Sequence, residues 1–141
     1  MKKIFISSDH AGFKLKENIK MYLDKKNYRY FDLGPENSNR VDYPDYAHKV
    51  AKKVKLNKNH VGILVCGSGT GMAISANKTK GIRAAVCYNL RSTRLSRQHN
   101  NANIIALGSR LTKKKDALKL IEIFLKTKFE GGRHLKRIKK I

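Results

Sequence analysis

Short apolar segments alternate with amphipathic segments along the whole of the 141-residue chain. The apolar segments are rich in β-branched residues and lack polar alternation, which is typical of strands buried on both faces of a parallel sheet. Predicted strands span residues 3–8, 28–33, 61–66, 82–87 and 103–107. Because each is followed by a helical pattern, the sequence predicts an α/β fold with helices on both faces of a five-stranded parallel sheet.

Apolar residues recur at helical spacing between these strands. Predicted helices span residues 13–26, 43–55, 70–78, 90–98 and 113–126. Gly131 and Gly132 then interrupt the chain before a basic segment at about residues 133–141. We predict a C-terminal helix there, and a disordered basic tail is the alternative. Ligands of such folds bind at the carboxyl ends of the strands. We therefore expect the polar residues that follow the strands to gather at one edge of the sheet.

The composition is that of one globular domain, which we expect to span residues 1–141. Hydrophobic residues make up 40% of the chain, and there are only two prolines, which argues against disorder. The longest apolar runs are too short to span a membrane. The apolar N-terminus meets Asp9 and His10 too soon for a signal peptide. We therefore expect a cytoplasmic protein without membrane association.

A net charge of +22 raises the question of a polyanionic partner. Lysines account for 23 of the 32 basic residues, are scattered along the chain and do not alternate with aromatic residues. A lysine-rich solvated surface is therefore favoured, and no specific nucleic acid is expected. A basic nucleotide- or nucleic-acid-binding module remains the alternative from another functional class. Residues 46–115 contain no Asp or Glu, so acid–base chemistry there requires Cys, His or groups from elsewhere.

A glycine-rich turn, Gly67-Ser68-Gly69-Thr70-Gly71, follows the third predicted strand and begins a helix. Its G-x-G-x-G pattern matches neither the dinucleotide fingerprint nor the P-loop. Converging N–H groups at a helix N-terminus nevertheless favour an oxyanion or a phosphate. The alternative is a turn that is merely tight.

Cys66 ends the strand before this turn, where N–H groups at a helix N-terminus favour the thiolate form. Buried strand cysteines are common, so a purely structural Cys66 is the alternative. The lack of any carboxylate nearby favours Cys66 as a base. Cys87 lies 21 positions further on without C-x-x-C spacing, which disfavours a zinc site or disulfide framework.

The other candidate residues are histidines and arginines. His10 and His99 stand at the ends of predicted elements, and the histidine spacings do not indicate a metal site. Arg133 and Arg137 are four residues apart and would share a helix face. Arginine in a lysine-rich chain indicates forked hydrogen bonds to phosphate.

These residues lie within six motifs that resemble the ribose-5-phosphate isomerase B family, the cysteine-dependent type within the wider family of galactose-6-phosphate isomerase. The motifs are SDHAGFKLK (8–16), DYPDYA (42–47), CGSGTGMAISANK (66–78), GIRAA (81–85), LSRQHNNANIIALGSR (95–110) and FEGGRHLKRI (129–138). The resemblance implies a Rossmann-like three-layer α/β/α sandwich. It also implies a homodimer or tetramer with active sites between subunits and no metal or other cofactor.

The implied reaction interconverts D-ribose 5-phosphate and D-ribulose 5-phosphate through a cis-enediolate, in the non-oxidative pentose phosphate pathway. In the family's pattern, the base is Cys66, and the enediolate lies against the turn from Gly67 to Gly71. Ser68 assists proton movement between the two enediolate oxygens. His99 with Asp9 would open the furanose ring. Tyr43 and Asn100 would hold hydroxyls. The residues implied at the phosphate are His10, Arg110, Arg133 and Arg137.

One branch of the family places a glutamate base at the position of Met72, where methionine cannot abstract a proton, so the cysteine must act here. Isomerisation of a hexose phosphate, such as allose or galactose 6-phosphate, is the alternative within the same chemistry. Galactose-6-phosphate isomerase uses two different subunits, so an unseen partner chain stays possible. The sequence does not show which subunit supplies each site residue.

Overall fold

The computed structural model describes residues 2–141, which form five strands and six helices. The strands are β1 (Lys3–Ser8), β2 (Tyr30–Asp32), β3 (His60–Cys66), β4 (Ala84–Val86) and β5 (Ile104–Gly108). The helices are α1 (Phe13–Lys25), α2 (Tyr43–Val54), α3 (Thr70–Asn77), α4 (Leu90–Gln98), α5 (Lys114–Lys126) and α6 (Arg133–Ile138). Strand and helix alternate as predicted.

The strands form one sheet in the order β2-β1-β3-β5-β4, and every neighbouring pair is parallel. The predicted five-stranded parallel sheet is therefore confirmed. The two edge strands are shorter than predicted. The N–H of Tyr28 donates to the carbonyl oxygen of Leu23, and that of Ile82 donates to Thr79. These residues thus close turns that follow helices instead of extending strands.

Two hydrophobic cores lie on opposite faces of the sheet. Apolar side chains of α1 and α5 cover one face, where Ile19 and Phe124 are fully buried. Side chains of α2 and α3 cover the other face, with Val50 and Met72 fully buried. The sheet is thus sandwiched between two helical layers, which confirms the predicted three-layer α/β/α architecture.

Lys16 on α1 is fully buried and links this helix to the end of β2. Its Nζ atom donates to both carboxylate oxygens of Asp32 at 2.9 Å and to the carbonyl oxygen of Pro35 at 2.8 Å. Lys20 and the N–H of Gly34 also donate to Asp32. Burial alone would raise the pKa of Asp32, but these hydrogen bonds outweigh it and lower the pKa.

The predicted C-terminal helix is present but shorter than expected. It ends at Ile138, and Lys140 and Ile141 close a final turn by donating to Arg137 and Ile138. Within residues 2–141, the helices all fall short of the length and apolarity needed to cross a membrane.

Candidate active site

The carboxyl ends of β1, β3 and β5 converge at one edge of the sheet. Cys66 is paired with Gly108 at the ends of β3 and β5, and the N–H of Asp9 donates to Val65. A cavity of about 430 Å³ opens at this edge, the C-terminal edge of the sheet. Its lining residues are Asp9, Tyr43, Cys66, Gly67, Ser68, Gly71, Arg110 and Leu111.

The thiol of Cys66 is buried at the base of this cavity, where it accepts a hydrogen bond from the backbone N–H of Gly69 at 3.1 Å. Gly69 has φ +79°, a conformation that side chains other than glycine's rarely adopt. This backbone turn aims the N–H at the sulfur. An N–H donor stabilises a thiolate more than a thiol.

The first turn of α3 presents further N–H groups to the cavity, because these groups have no intrahelical partners. The N–H of Thr70 donates to the hydroxyl oxygen of Ser68 at 3.3 Å. Met72, the third residue of the helix, is fully buried in the core. The turn therefore offers backbone donors around Cys66, while the position of Met72 faces away from solvent.

Arg110 covers one side of the cavity. Its backbone N–H donates to Gly67 at 3.0 Å, and a Cβ atom on Gly67 would lie 2.9 Å from its guanidinium group. The neighbouring Ser109 fixes this loop, since its hydroxyl donates to Ala11 at 2.8 Å. A positive charge is thereby held beside the glycine turn.

Asp9 and Tyr43 form the other side of the cavity. One carboxylate oxygen of Asp9 accepts from the N–H of Gly12 at 2.9 Å, which leaves the second oxygen available. A Cβ atom on Gly71 would lie 2.8 Å from the Tyr43 ring, so glycine lets this ring approach the turn closely. His10 lies beside Asp9, and its Nδ1 atom is 3.3 Å from the N–H of Val41, in the loop that leads to Tyr43.

His99 and Asn100 lie at the opposite edge of the sheet. Helix α4 starts after β4 and returns to the beginning of β5, so its last residues lie where the strands begin. Arg83, immediately before β4, donates to the carbonyl oxygens of Asn100 and Asn101 at 3.1–3.2 Å. Cys66 lies where the strands end. One chain therefore does not bring His99 to the thiol.

His99 belongs to a second cluster of polar residues, the opposite-edge cluster. Its ring stacks on that of His134 in α6, with centroids 4.2 Å apart and planes at 11°. The Glu130 carboxylate lies 3.9 Å from Nε2 of His99 and 3.7 Å from Nε2 of His134. Arg133 and Arg137 are exposed on the same short helix. The cluster consists of His99, Asn100, Glu130, Arg133, His134 and Arg137.

The Glu130, His99 and His134 side chains approach within metal-binding distance of one another, with ligand atoms within 4.8 Å. The two imidazole planes are nearly parallel, however, so their nitrogen lone pairs do not converge on one point. This arrangement suits a shared carboxylate better than a shared ion. The predicted absence of a metal stays a prediction.

Arg97 fixes the loop that carries His99. Its guanidinium group donates to Thr127 at 3.2 Å, to Ala102 at 2.6 Å and to the side chain of Asn101 at 3.0 Å. Burial, followed by the charge of Arg83, lowers the pKa of Arg97. The N–H of Glu130 donates to Gln98 at 3.1 Å. These contacts tie the end of α4 to the segment after α5.

The predicted site residues thus fall into two groups. The first lies at the C-terminal edge and consists of Asp9, His10, Tyr43, Cys66, Gly67, Ser68, Gly69, Thr70, Gly71 and Arg110. His99, Asn100, Arg133 and Arg137 lie in the opposite-edge cluster. Sequence reasoning missed Leu111, which lines the cavity, and the pair of Glu130 and His134. The spacing of four residues between Glu130 and His134 was the only sequence signal for this pair.

Comparison with known proteins shows to which family the chain belongs. The family model described as Ribose/Galactose Isomerase matches residues 4–141. The chain is 44% identical to ribose-5-phosphate isomerase B of Escherichia coli over 141 residues, covering 100% of this chain and 95% of the relative.

Solved structures agree with the sequence match. The crystal structure of a ribose 5-phosphate isomerase from Thermotoga maritima has TM-score 0.96 and 49% identity, covering 99% of this chain and 96% of that one. The structure of ribose-5-phosphate isomerase B from Mycoplasma genitalium with bound ribulose-5-phosphate has TM-score 0.94 and 46% identity, covering 98% and 92%. The chain belongs to the ribose/galactose isomerase family.

Proposed function

We propose that this protein is an aldose–ketose isomerase that interconverts D-ribose 5-phosphate and D-ribulose 5-phosphate. The observation that carries the proposal is the hydrogen bond from Gly69 to the Cys66 thiol at the base of a cavity lined by Asp9, Ser68 and Arg110. A relative of 46% identity, ribose-5-phosphate isomerase B from Mycoplasma genitalium, was solved with bound ribulose-5-phosphate.

Ring opening is the first step from the furanose form of the aldose. The bond between C1 and the ring oxygen breaks, and its electron pair stays on the oxygen, which takes a proton from protonated His99. The free carboxylate oxygen of Asp9 takes the proton of the C1 hydroxyl, which becomes the carbonyl. The donated proton stays on the new O4 hydroxyl of the open chain. His99 then takes up a proton from solvent and Asp9 releases one to solvent, so both groups return to their starting forms.

Isomerisation follows at the glycine turn. The Cys66 thiolate takes the C2 proton, the electron pair forms a double bond between C1 and C2, and negative charge develops on O1. Backbone N–H groups of the turn stabilise that charge most in the transition state. With Ser68 assisting, a proton passes from O2 to O1, and the thiol returns its proton to C1. The product is the ketose, and the thiolate is regenerated.

Arginine side chains hold the phosphate in this proposal. Arg110 lies beside the cavity, whereas Arg133 and Arg137 project from α6 at the other edge of the sheet. Guanidinium groups form bidentate hydrogen bonds with phosphate oxygens. A phosphate held by all three, with His10 nearby, would fix the sugar's C1–C2 end at Cys66.

A second copy of the chain completes the site. His99, Asn100, Arg133 and Arg137 lie at the edge opposite Cys66, so we propose that they enter the cavity of a partner subunit. In a dimer with two-fold symmetry, the C-terminal edge of each subunit meets the opposite edge of the other, so two equivalent sites form. The functional unit is then a homodimer, alone or paired into a tetramer. We expect it in the cytoplasm.

The decisive assay measures turnover of the pentose and the hexose with EDTA present. The proposal predicts a higher kcat/KM for ribose 5-phosphate than for allose 6-phosphate. A preference for the hexose would place the protein in the alternative branch of the family. Turnover of neither sugar, together with tight salt-dependent RNA binding that survives Cys66→Ala, would instead favour the nucleic-acid-binding alternative.

A further inference from the structure

His134 and Glu130 surround His99 on two sides. The His134 ring covers one face of the His99 ring at a centroid distance of 4.2 Å and an angle of 11°. The Glu130 carboxylate faces the edge of both rings at 3.7–3.9 Å. The side chain of His134 is only 11% exposed, whereas that of His99 is 42% exposed. His134 is therefore part of the supporting structure, and His99 is the ring presented outward.

The distance from Glu130 to His99 decides what the carboxylate can do. A separation of 3.9 Å exceeds that of a hydrogen bond, so an Nε2 proton on His99 is not committed to Glu130. The carboxylate places a negative charge beside the edge of the His99 ring. The ring nitrogen faces this charge and stays free to donate to another acceptor.

The groups around His134 disfavour a positive charge on its ring. Partial burial, followed by the positive charges of His99, Arg133 and Arg137, lowers the pKa of His134, against the opposing effect of Glu130. The lowered pKa favours the neutral form of His134. A neutral aromatic face stacks favourably on a cationic ring, and a second cation there would repel it.

We propose that Glu130 and His134 are positioning residues that hold the His99 ring in the orientation needed to open the sugar ring. This inference rests on the proposed function, which assigns His99 to that step. The backbone supports it, because the N–H of Glu130 donates to Gln98, the residue before His99. Arg97 ties the same loop to Thr127 and Ala102. The three side chains are thus held by a common framework.

Two assays separate ring opening from the chemistry at Cys66. Turnover of ribose 5-phosphate begins from a ring and needs the acid. Exchange of the C1 hydrogen of ribulose 5-phosphate in D₂O begins from an open chain and needs only the base. A positioning residue for His99 affects the first assay and spares the second, whereas a residue needed for general folding lowers both.

The variants are Glu130→Gln, His134→Ala and His134→Phe, measured in the full-length protein. We expect Glu130→Gln and His134→Ala to lower kcat for ribose 5-phosphate by about tenfold or more, with exchange within about twofold of wild type. His134→Phe keeps a flat ring against His99 and should retain most of the turnover.

Matched controls are Glu122→Gln, a partly exposed carboxylate paired with Lys126, and His48→Ala on α2. Both should leave the two assays unchanged. Unchanged turnover in Glu130→Gln and His134→Ala would overturn the inference, as would equal losses in both assays. A wild-type protein that shows neither turnover nor exchange would contradict the proposed function itself, which is a different result.

Discussion

The backbone N–H of Gly69 donates a hydrogen bond to the sulfur of Cys66, 3.1 Å away. The bond joins the end of β3 to the residue that precedes α3, and the left-handed conformation of Gly69 makes it possible. A buried thiol without this donor would be a small apolar side chain. With it, the sulfur is a hydrogen-bond acceptor beside the N-terminus of α3.

Cys66→Ala should abolish isomerisation and leave the fold intact. The variant removes the only group proposed to move the carbon-bound proton, and loss of a positioned base typically costs a factor of about 10²–10⁴ in rate. The measurement is kcat for ribose 5-phosphate, with circular dichroism to check folding. Cys87→Ala is the matched control and should keep full activity. Normal turnover in Cys66→Ala would refute the mechanism.

Alkylation should discriminate between the two cysteines. Burial raises the pKa of the Cys87 thiol, against weaker hydrogen bonds from Thr93 and Ser96 that lower it. Cys87 is fully buried, whereas Cys66 lines a cavity. We expect iodoacetamide to modify Cys66 first and to inactivate the enzyme, as mass spectrometry of peptides would show. Saturating substrate should slow the reaction, and equal labelling of both thiols would contradict this prediction.

Mixing two inactive variants should restore part of the activity. Cys66→Ala lacks the group at the C-terminal edge, and His99→Ala lacks the group at the opposite edge. In a dimer with shared sites, each mixed dimer has one intact site and one doubly damaged site. Random mixing then gives about one quarter of wild-type activity, since half of the dimers are mixed.

The test of this complementation is kcat after the two variants are unfolded together and refolded. Each variant refolded alone is the control and should stay inactive. A mixture with no more activity than its components would show that Cys66 and His99 act within the same chain or that His99 is dispensable.

Asp32→Asn should destabilise the protein more than Lys16→Met. The first substitution leaves the fully buried Lys16 ammonium without its main partner, which costs about 3 kcal/mol. The second removes one donor but leaves Asp32 with Lys20 and Gly34, and should cost about 1 kcal/mol. Urea denaturation measures both free energies of unfolding. Equal losses would mean that Lys16 is not held by this carboxylate.

The same pair predicts a pH dependence. The pKa of Asp32 is lower in the folded chain than its ordinary value of 3.8, so its contribution to stability is complete above that value and is lost as pH falls below it. The difference in unfolding free energy between wild type and Asp32→Asn should therefore shrink below about pH 4. A difference that stays constant down to pH 2 would contradict the assignment.

Much of the fold could be predicted from sequence because buried parallel strands and amphipathic helices leave strong periodic patterns. The edge strands were overestimated at both ends. Tyr28 and Ile82 are apolar residues that look strand-like, yet each closes a turn after a helix. Local composition does not show which hydrogen-bond partner an N–H group finds.

The site was predictable to the extent that its residues follow strands. Cys66, Asp9 and Arg110 could be placed at one edge because parallel strands end together. His99 could not, since it ends a helix, and its distance from Cys66 depends on the direction in which α4 returns. The stacking of His99 on His134 joins residues from two helices that no periodic pattern relates.

The separation of Cys66 and His99 at opposite edges has a thermodynamic consequence. If substrate contacts both groups only across two chains, it binds the assembled form and not the free chain. Substrate binding and association are then linked, so each strengthens the other. Activity would fall on dilution more steeply than enzyme concentration, and added substrate would slow that fall. The catalytic activity per chain would thus depend on the concentration of the protein.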